Sequence, residues 1–143
     1  MGTHRSHHSK KIHKDMFDET WHWAGRYRKT MKNIGVLPEQ ISEEMKKACD
    51  DLAYWTEHKT YEPNEIAVRF HHRLVSIHPF PNGNGRFSRI VADIYLRSCG
   101  FSPLFWGGSD LNADGTGRKN YLSALRKADK GDISELLKVA IKK

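Results

Sequence analysis

The sequence predicts a mainly α fold, a single helical domain carrying one short β-hairpin. Three observations predict it. The 143 residues suit one domain with a real core and leave no comfortable room for a second. Apolar residues recur at spacings of three and four along most of the chain. Only residues 25–37 break that period, where basic and apolar residues alternate around Asn33 and Gly35, as an extended or hairpin segment requires.

Each element follows in order. Residues 1–11 have no apolar period and read as a disordered tail, so the folded domain is expected over residues 12–143. Pro38 stands where a helix starts, and Ile41, Met45, Ala48, Leu52 and Trp55 then form one amphipathic stripe. Pro63 and the cap-type Asn64 introduce a second helix, with Ile66, Phe70, Leu74 and Ile77 on one face. It ends before Pro79, because a residue preceding proline avoids helical geometry. A third helix over residues 87–98 turns Phe87, Ile90, Val91 and Ile94 inward and stops at Gly100. Residues 101–117 hold five glycines and prolines and read as a loop. Helices over 118–128 and 132–141, separated by Gly131, close the chain.

Composition narrows the function. Hydrophobic residues make up 38% and charged residues 29%, a soluble globular balance rather than a disordered one. No apolar run is long enough for a bilayer and none marks a secretory signal, so a cytoplasmic location is expected. Cys49 and Cys99 lack metal-type or redox-type spacing and read as reduced thiols, with a bridge between them left open. The net charge of +7, from 24 Lys and Arg against 17 Asp and Glu, favours an anionic partner: a nucleotide, a nucleic acid or an acidic protein. The basic residues are scattered rather than aligned on one helix, which argues against nucleic acid.

The histidines and tryptophans have plainer readings. His4, His7, His8 and His13 lie in or just after the tail and mark disorder or an added tag rather than a metal site. His71 and His72 point about 100° apart on a helix, so they do not share a metal, and His71 reads as a hydrogen-bonded core histidine. Trp21, Trp23, Trp55 and Trp106 read as packing rather than base-stacking platforms.

The chemistry lies in the segment between the second and third helices. A glycine-rich loop emptying into a helix offers backbone N–H groups at the helix's positive end, as phosphate oxygens require. Gly83 and Gly85 allow close approach. Arg86 and Arg89, three apart, share a face and can clamp phosphate oxygens. His78, held by Pro79 at the loop entrance, can take a proton from an attacking hydroxyl. The lysine that follows the glycines of a P-loop is absent, which excludes a Walker-type hydrolase.

The string His78-Pro79-Phe80-Pro81-Asn82-Gly83-Asn84-Gly85-Arg86-Phe87-Ser88-Arg89 resembles the Fic signature H-x-F-x-[DE]-G-N-G-R-x-x-R, departing from it at one position. Trp23-Ala24-Gly25 with Arg28, Asn33-Ile34-Gly35-Val36, His71 and residues 121–132 extend the likeness over about residues 12–141. It looks most like the short branch called mobile mystery protein B. The resemblance implies a protein nucleotidyltransferase moving AMP from ATP to a Ser, Thr or Tyr hydroxyl of a target protein, with a toxin-like role. It implies that His78 is the general base and that Phe80 anchors the loop. Asn82, Gly83, Asn84 and Gly85, with Arg86 and Arg89, would hold the phosphates. Tyr121 and Asp129 would line the base and ribose pocket. Ile34 and Gly35 would belong to a flap, the expected hairpin, that receives the target by strand addition.

The departure is Asn82, which stands where the family places Asp or Glu. That acid holds the Mg²⁺ or Mn²⁺ accompanying ATP, and a neutral carboxamide binds a hard ion more weakly. Three alternatives follow: a weaker metal site, a changed co-substrate, or a nucleotide-binding domain that transfers slowly. The family's inhibitory pattern [ST]-x-x-x-E-[GN] has no match in the chain. The resemblance then implies inhibition by a separate antitoxin-like protein, by a segment outside this sequence, or none.

Overall fold

The computed structural model describes residues 26–32, 35–106 and 116–141. Among the described residues five helices carry the fold: α1 (Ile41–His58), α2 (Pro63–Ile77), α3 (Asn84–Ser98), α4 (Thr116–Asp129) and α5 (Ser134–Ile141). A single 3₁₀ turn, Pro38–Gln40, leads into α1. The mainly α prediction holds. Among the described residues there is no strand, and residues 26–32 and 35–37 run as an irregular segment beside the end of α2. Asn33 and Ile34, within the predicted hairpin, lie outside the described residues, as does the 1–11 tail.

Helix ends follow local chemistry, with two departures from expectation. α2 begins at Pro63, with Glu62 in extended geometry as its cap. Asn64 therefore sits inside the first turn, because proline with its fixed φ takes the first helical position. α3 begins at Asn84 rather than Phe87. Gly83 adopts φ 75°, a left-handed geometry suited to glycine, and the helix starts directly behind it.

α2 is the central element and packs against all four other helices. Ile66, Phe70, Leu74 and Ile77 face α1's Ile41, Met45, Ala48 and Leu52, together with Phe80 and Phe87. Its other side places Ala67 and Val68 among Ala92 and Leu96 of α3, Tyr121 and Ala124 of α4, and Leu136 and Ala140 of α5. A helix apolar on both sides belongs inside a domain. Burial of this kind contributes about 25 cal/mol per Å² of apolar surface.

The buried face of α3 differs from the predicted stripe. Asn84, Phe87, Ser88, Ala92 and Leu96 are buried, whereas Ile94 is 44% exposed. Positions 84, 88, 92 and 96 form one i, i+4 ridge, and the small Ser88 and Ala92 let it lie close against α2. Ser88 Oγ is satisfied within its own helix, donating to the carbonyls of Asn84 and Gly85 at 2.8 and 2.9 Å. Cys49 is buried and Cys99 is exposed. Trp55 and Trp106 pack against the two core clusters. Among the described residues no helix is long and apolar enough to cross a membrane.

Candidate active site at the junction of α2 and α3

His78 occupies the turn that ends α2. Its φ of 54° is left-handed, the geometry that commonly terminates a helix, and its N–H donates to the Leu74 carbonyl at 3.0 Å. A bulky residue adopts this conformation only where its surroundings enforce it. Arg28 supplies that enforcement. Its guanidinium donates from Nε to the His78 carbonyl at 2.6 Å, and from Nη2 to the carbonyls of Ile77, at 3.3 Å, and Val36. Arg28 is 3% exposed. Its backbone N–H donates to Pro79 at 2.9 Å.

The loop beyond His78 is pinned from inside. Phe80 is fully buried, with its ring against Tyr27 at 5.5 Å and edge-on to Phe87 at 5.0 Å. Asn84 grips the Phe80 backbone, accepting from its N–H at 2.8 Å and donating to its carbonyl at 2.7 Å. The Asn84 carboxamide is therefore committed to the loop. What position 84 offers a phosphate is its backbone N–H, in a first helical turn whose N–H groups have no intrahelical acceptors. The first bond of α3 runs from the Phe87 N–H to Gly83 at 3.0 Å.

Gly85 leaves room for an arginine. A Cβ there would stand 3.3 Å from Nη1 of Arg89, so the guanidinium lies over the first turn of its own helix. Arg86 is exposed on the same turn. The Arg89 guanidinium and a helix N-terminus thus share one small region, with Arg86 on the same turn, an arrangement that favours a polyanion.

Arg89 in turn rests on Tyr121, its guanidinium carbon 5.5 Å from the ring centroid and Nη1 at 3.5 Å from the hydroxyl. The Tyr121 hydroxyl lies 2.8 Å from Nε2 of His71, which is fully buried beneath Trp106. Burial, then Arg89, then His72 push His71 down to about 3, so it is neutral, opposed only by the backbone of Ser88. A neutral Nε2 accepts from Tyr121, leaving the tyrosine oxygen to accept from Arg89. Among the described residues Nδ1 of His71 has no well-formed hydrogen bond.

Tyr121 and Asp129, expected to line the base and ribose pocket, both lie on α4. Tyr121 is 5% exposed and holds Arg89 from below. Asp129, on the last turn of α4, meets Nε2 of His72 at 2.8 Å. Gly35 reaches the junction. With φ 102°, it passes so close that a Cβ would meet Arg28 Nη2 and His78 Cβ at 2.7 Å. Ile34 lies outside the described residues. The sequence reading had His71 as a hydrogen-bonded core histidine, as it is here, but named Arg28 only within the family resemblance and missed its carbonyl partners, up to 50 residues away.

Electrostatics suit a base. Burial, then the Arg28 cation, then Lys32 lower the pKa of His78 below its ordinary value, so the imidazole is neutral at physiological pH. Metal binding is less well provided for. Among the described residues no three His, Cys, Asp or Glu stand together, and Asn82 brings one neutral oxygen where a small hard cation prefers carboxylate. The junction does not fit a resident metal. A separate cleft of about 700 Å³ between α4 and α5, lined by Asn120, Lys127, Glu135 and Lys138 among others, contains none of the loop residues.

A family model described as the Fic/DOC family matches residues 4–96. The chain is 32% identical over 119 residues to Protein adenylyltransferase Fic of Nematostella vectensis, an alignment covering 80% of this chain and 26% of that protein. It is 30% identical over 126 residues to Protein adenylyltransferase fic-1 of Caenorhabditis elegans, covering 83% and 23%. The chain spans about a quarter of the length of these relatives. A solved structure of Fic-1 from C. elegans matches with a TM-score of 0.78 at 27% identity, over 94% of this chain and 39% of that one. BepC from Bartonella tribocorum with bound AMPPNP shares the fold, with a TM-score of 0.70 at 22% identity over 94% and 71%.

Proposed function

The chain belongs to the Fic/DOC family, and from that premise we propose that it is a protein adenylyltransferase, moving AMP from ATP to a hydroxyl of a target protein. The observation that carries this reading is the junction of α2 and α3. There a neutral His78 sits directly ahead of a helix N-terminus capped by Gly83 and flanked by Arg86 and Arg89. The named relatives that share the sequence support the same reaction.

In this reaction the backbone N–H groups at the start of α3 hold the α and β phosphates, and the two arginines take the outer phosphates. His78 removes the proton from a Ser, Thr or Tyr hydroxyl of the target. The freed oxygen attacks the α-phosphorus, the bond from that phosphorus to the bridging oxygen breaks, and pyrophosphate leaves. Gly35 and the residues before it take the target backbone alongside His78, as the family's flap does. Residues 12–143 form the functional domain. A divalent ion enters as the companion of the nucleotide's phosphates, and no step depends on a protein site for it. Toxin-like use and restraint by an antitoxin-like partner belong to this reading.

A second reading has one observation in its favour, the neutral Asn82. On that reading the domain binds nucleotide and transfers slowly. Intact-mass analysis of cell lysate proteins incubated with ATP and Mg²⁺ separates the two. Adenylated protein formed by the wild type and absent with His78→Ala supports the enzyme. Adduct only after Asn82→Asp supports the slow binder.

A further inference from the structure

Arg28 does more than end a helix. Its guanidinium reaches four carbonyls from two parts of the chain: Thr30, at 3.0 Å, and Val36 on either side of residues 33–34, and Ile77 and His78 at the close of α2. Two backbone bonds repeat the same join, from Arg28 N–H to Pro79 at 2.9 Å and from Val36 N–H to Ile77 at 3.3 Å. Gly35 has no side chain because the guanidinium and His78 fill its space; a Cβ would also stand 2.8 Å from the Ile77 carbonyl. The last carbonyls of a helix lack intrahelical donors, and a cation placed there satisfies them. Only a planar fork with five N–H groups can serve so many acceptors; an ammonium on a flexible stem cannot.

We propose that Arg28 is a positioning residue that locks the turn bearing His78 to the backbone at Thr30 and at Gly35 and Val36, so that base orientation and target docking are set by the same side chain. The inference rests on the reading of His78 as the base and of Gly35 as part of the target-facing flap. The nucleotide cradle lies beyond the latch, on α3. Cutting the latch therefore damages transfer and target recognition while sparing nucleotide affinity.

The test compares wild type and Arg28→Lys in ATP affinity by calorimetry and in kcat and KM for a labelled protein target. In the lysine variant ATP affinity stays within about twofold, kcat falls by about 10²-fold, the loss that a small misplacement of a catalytic group produces, and KM for the target rises. Wild-type kcat in Arg28→Lys overturns the inference, and so does a loss of ATP affinity equal to the loss in kcat, which marks a general structural role. A measurement on the unaltered chain decides the matter should the variant not fold: nitrogen NMR of the Arg28 Nε–H. Protection from solvent exchange matching that of the Phe70 amide supports the latch, and rapid exchange overturns it. Absence of transfer by the wild type overturns the adenylyltransferase reading instead, leaving the exchange result to judge the latch.

Discussion

The carboxamide of Asn84 closes on both backbone groups of Phe80, taking its N–H at 2.8 Å and giving to its carbonyl at 2.7 Å. A side chain from the first turn of α3 thereby holds the loop that carries His78 at its other end. Asn84→Ala leaves a buried donor and a buried acceptor without partners, at about 1–3 kcal/mol each. Urea unfolding should show a loss of about 2–5 kcal/mol, within that range for two groups. Asn84→Asp keeps the acceptor and adds a negative charge beside the phosphate cradle, so it weakens ATP binding more than Asn84→Ala does at equal folded fraction.

Tyr121 connects the buried His71 to Arg89. Tyr121→Phe keeps the ring and removes the oxygen, leaving Nε2 of His71 without its donor, at a cost of about 1–3 kcal/mol. Arg89 loses one anchor, and ATP affinity falls by about threefold to tenfold, the share of one hydrogen bond. Calorimetric titration with a non-hydrolysable ATP analogue reads this directly. Unchanged affinity would mean that the cation–π contact alone holds Arg89.

Stability depends on pH through His71. Burial holds its pKa at about 3 in the folded chain, against 6.5 for an unperturbed histidine, so the unfolded state binds the proton more readily. The neutral histidine's contribution is complete above pH 6.5 and is lost as pH falls toward 3. In that window the group contributes a slope approaching 1.4 kcal/mol per pH unit. Denaturation series between pH 7 and 4 should show this slope in the wild type, in addition to that of the carboxylates. In His71→Gln the histidine part of the slope disappears.

The rate depends on pH through His78. A base must be neutral to act, and burial, Arg28 and Lys32 together hold its pKa below the ordinary value. The acidic limb of kcat/KM therefore lies below pH 6.5, the unperturbed histidine value, and activity is flat through neutrality on that side. Lys32 is exposed. Replacing it with Met removes one of the two cations without disturbing the core, so the limb moves upward, by less than removal of the buried Arg28 cation would move it. A limb that does not move would place Lys32 too far from the imidazole to act.

The sequence made some of this legible and hid the rest for identifiable reasons. α1 and α2 were readable because Met45, Leu52, Phe70 and Leu74 repeat at helical spacing and Pro38, Pro63 and Pro79 punctuate their ends. The loop was readable because His78, the glycines and the arginines stand in one short string. The start of α3 was not, since Asn84 looks like a turn former until Phe80 is seen in its grip. Ile94 was placed inward on hydrophobicity alone, whereas the close contact with α2 selects the small Ser88 and Ala92. Tyr121 read as a pocket wall, and only tertiary structure puts its hydroxyl between His71 and Arg89. Arg28 read as part of a motif, because its acceptors are carbonyls, which leave no trace in residue type.

The most direct test of the central claim is a double-label transfer experiment. The wild type and His78→Ala are incubated with a target-containing lysate and ATP carrying the label on either the α or the γ phosphate. The prediction is protein-bound label from the α phosphate only, dependent on His78 and stable to hydroxylamine, as a hydroxyl-linked phosphodiester is. Label from the γ phosphate, or α label that persists in His78→Ala, would contradict an AMP transfer in which His78 is the base.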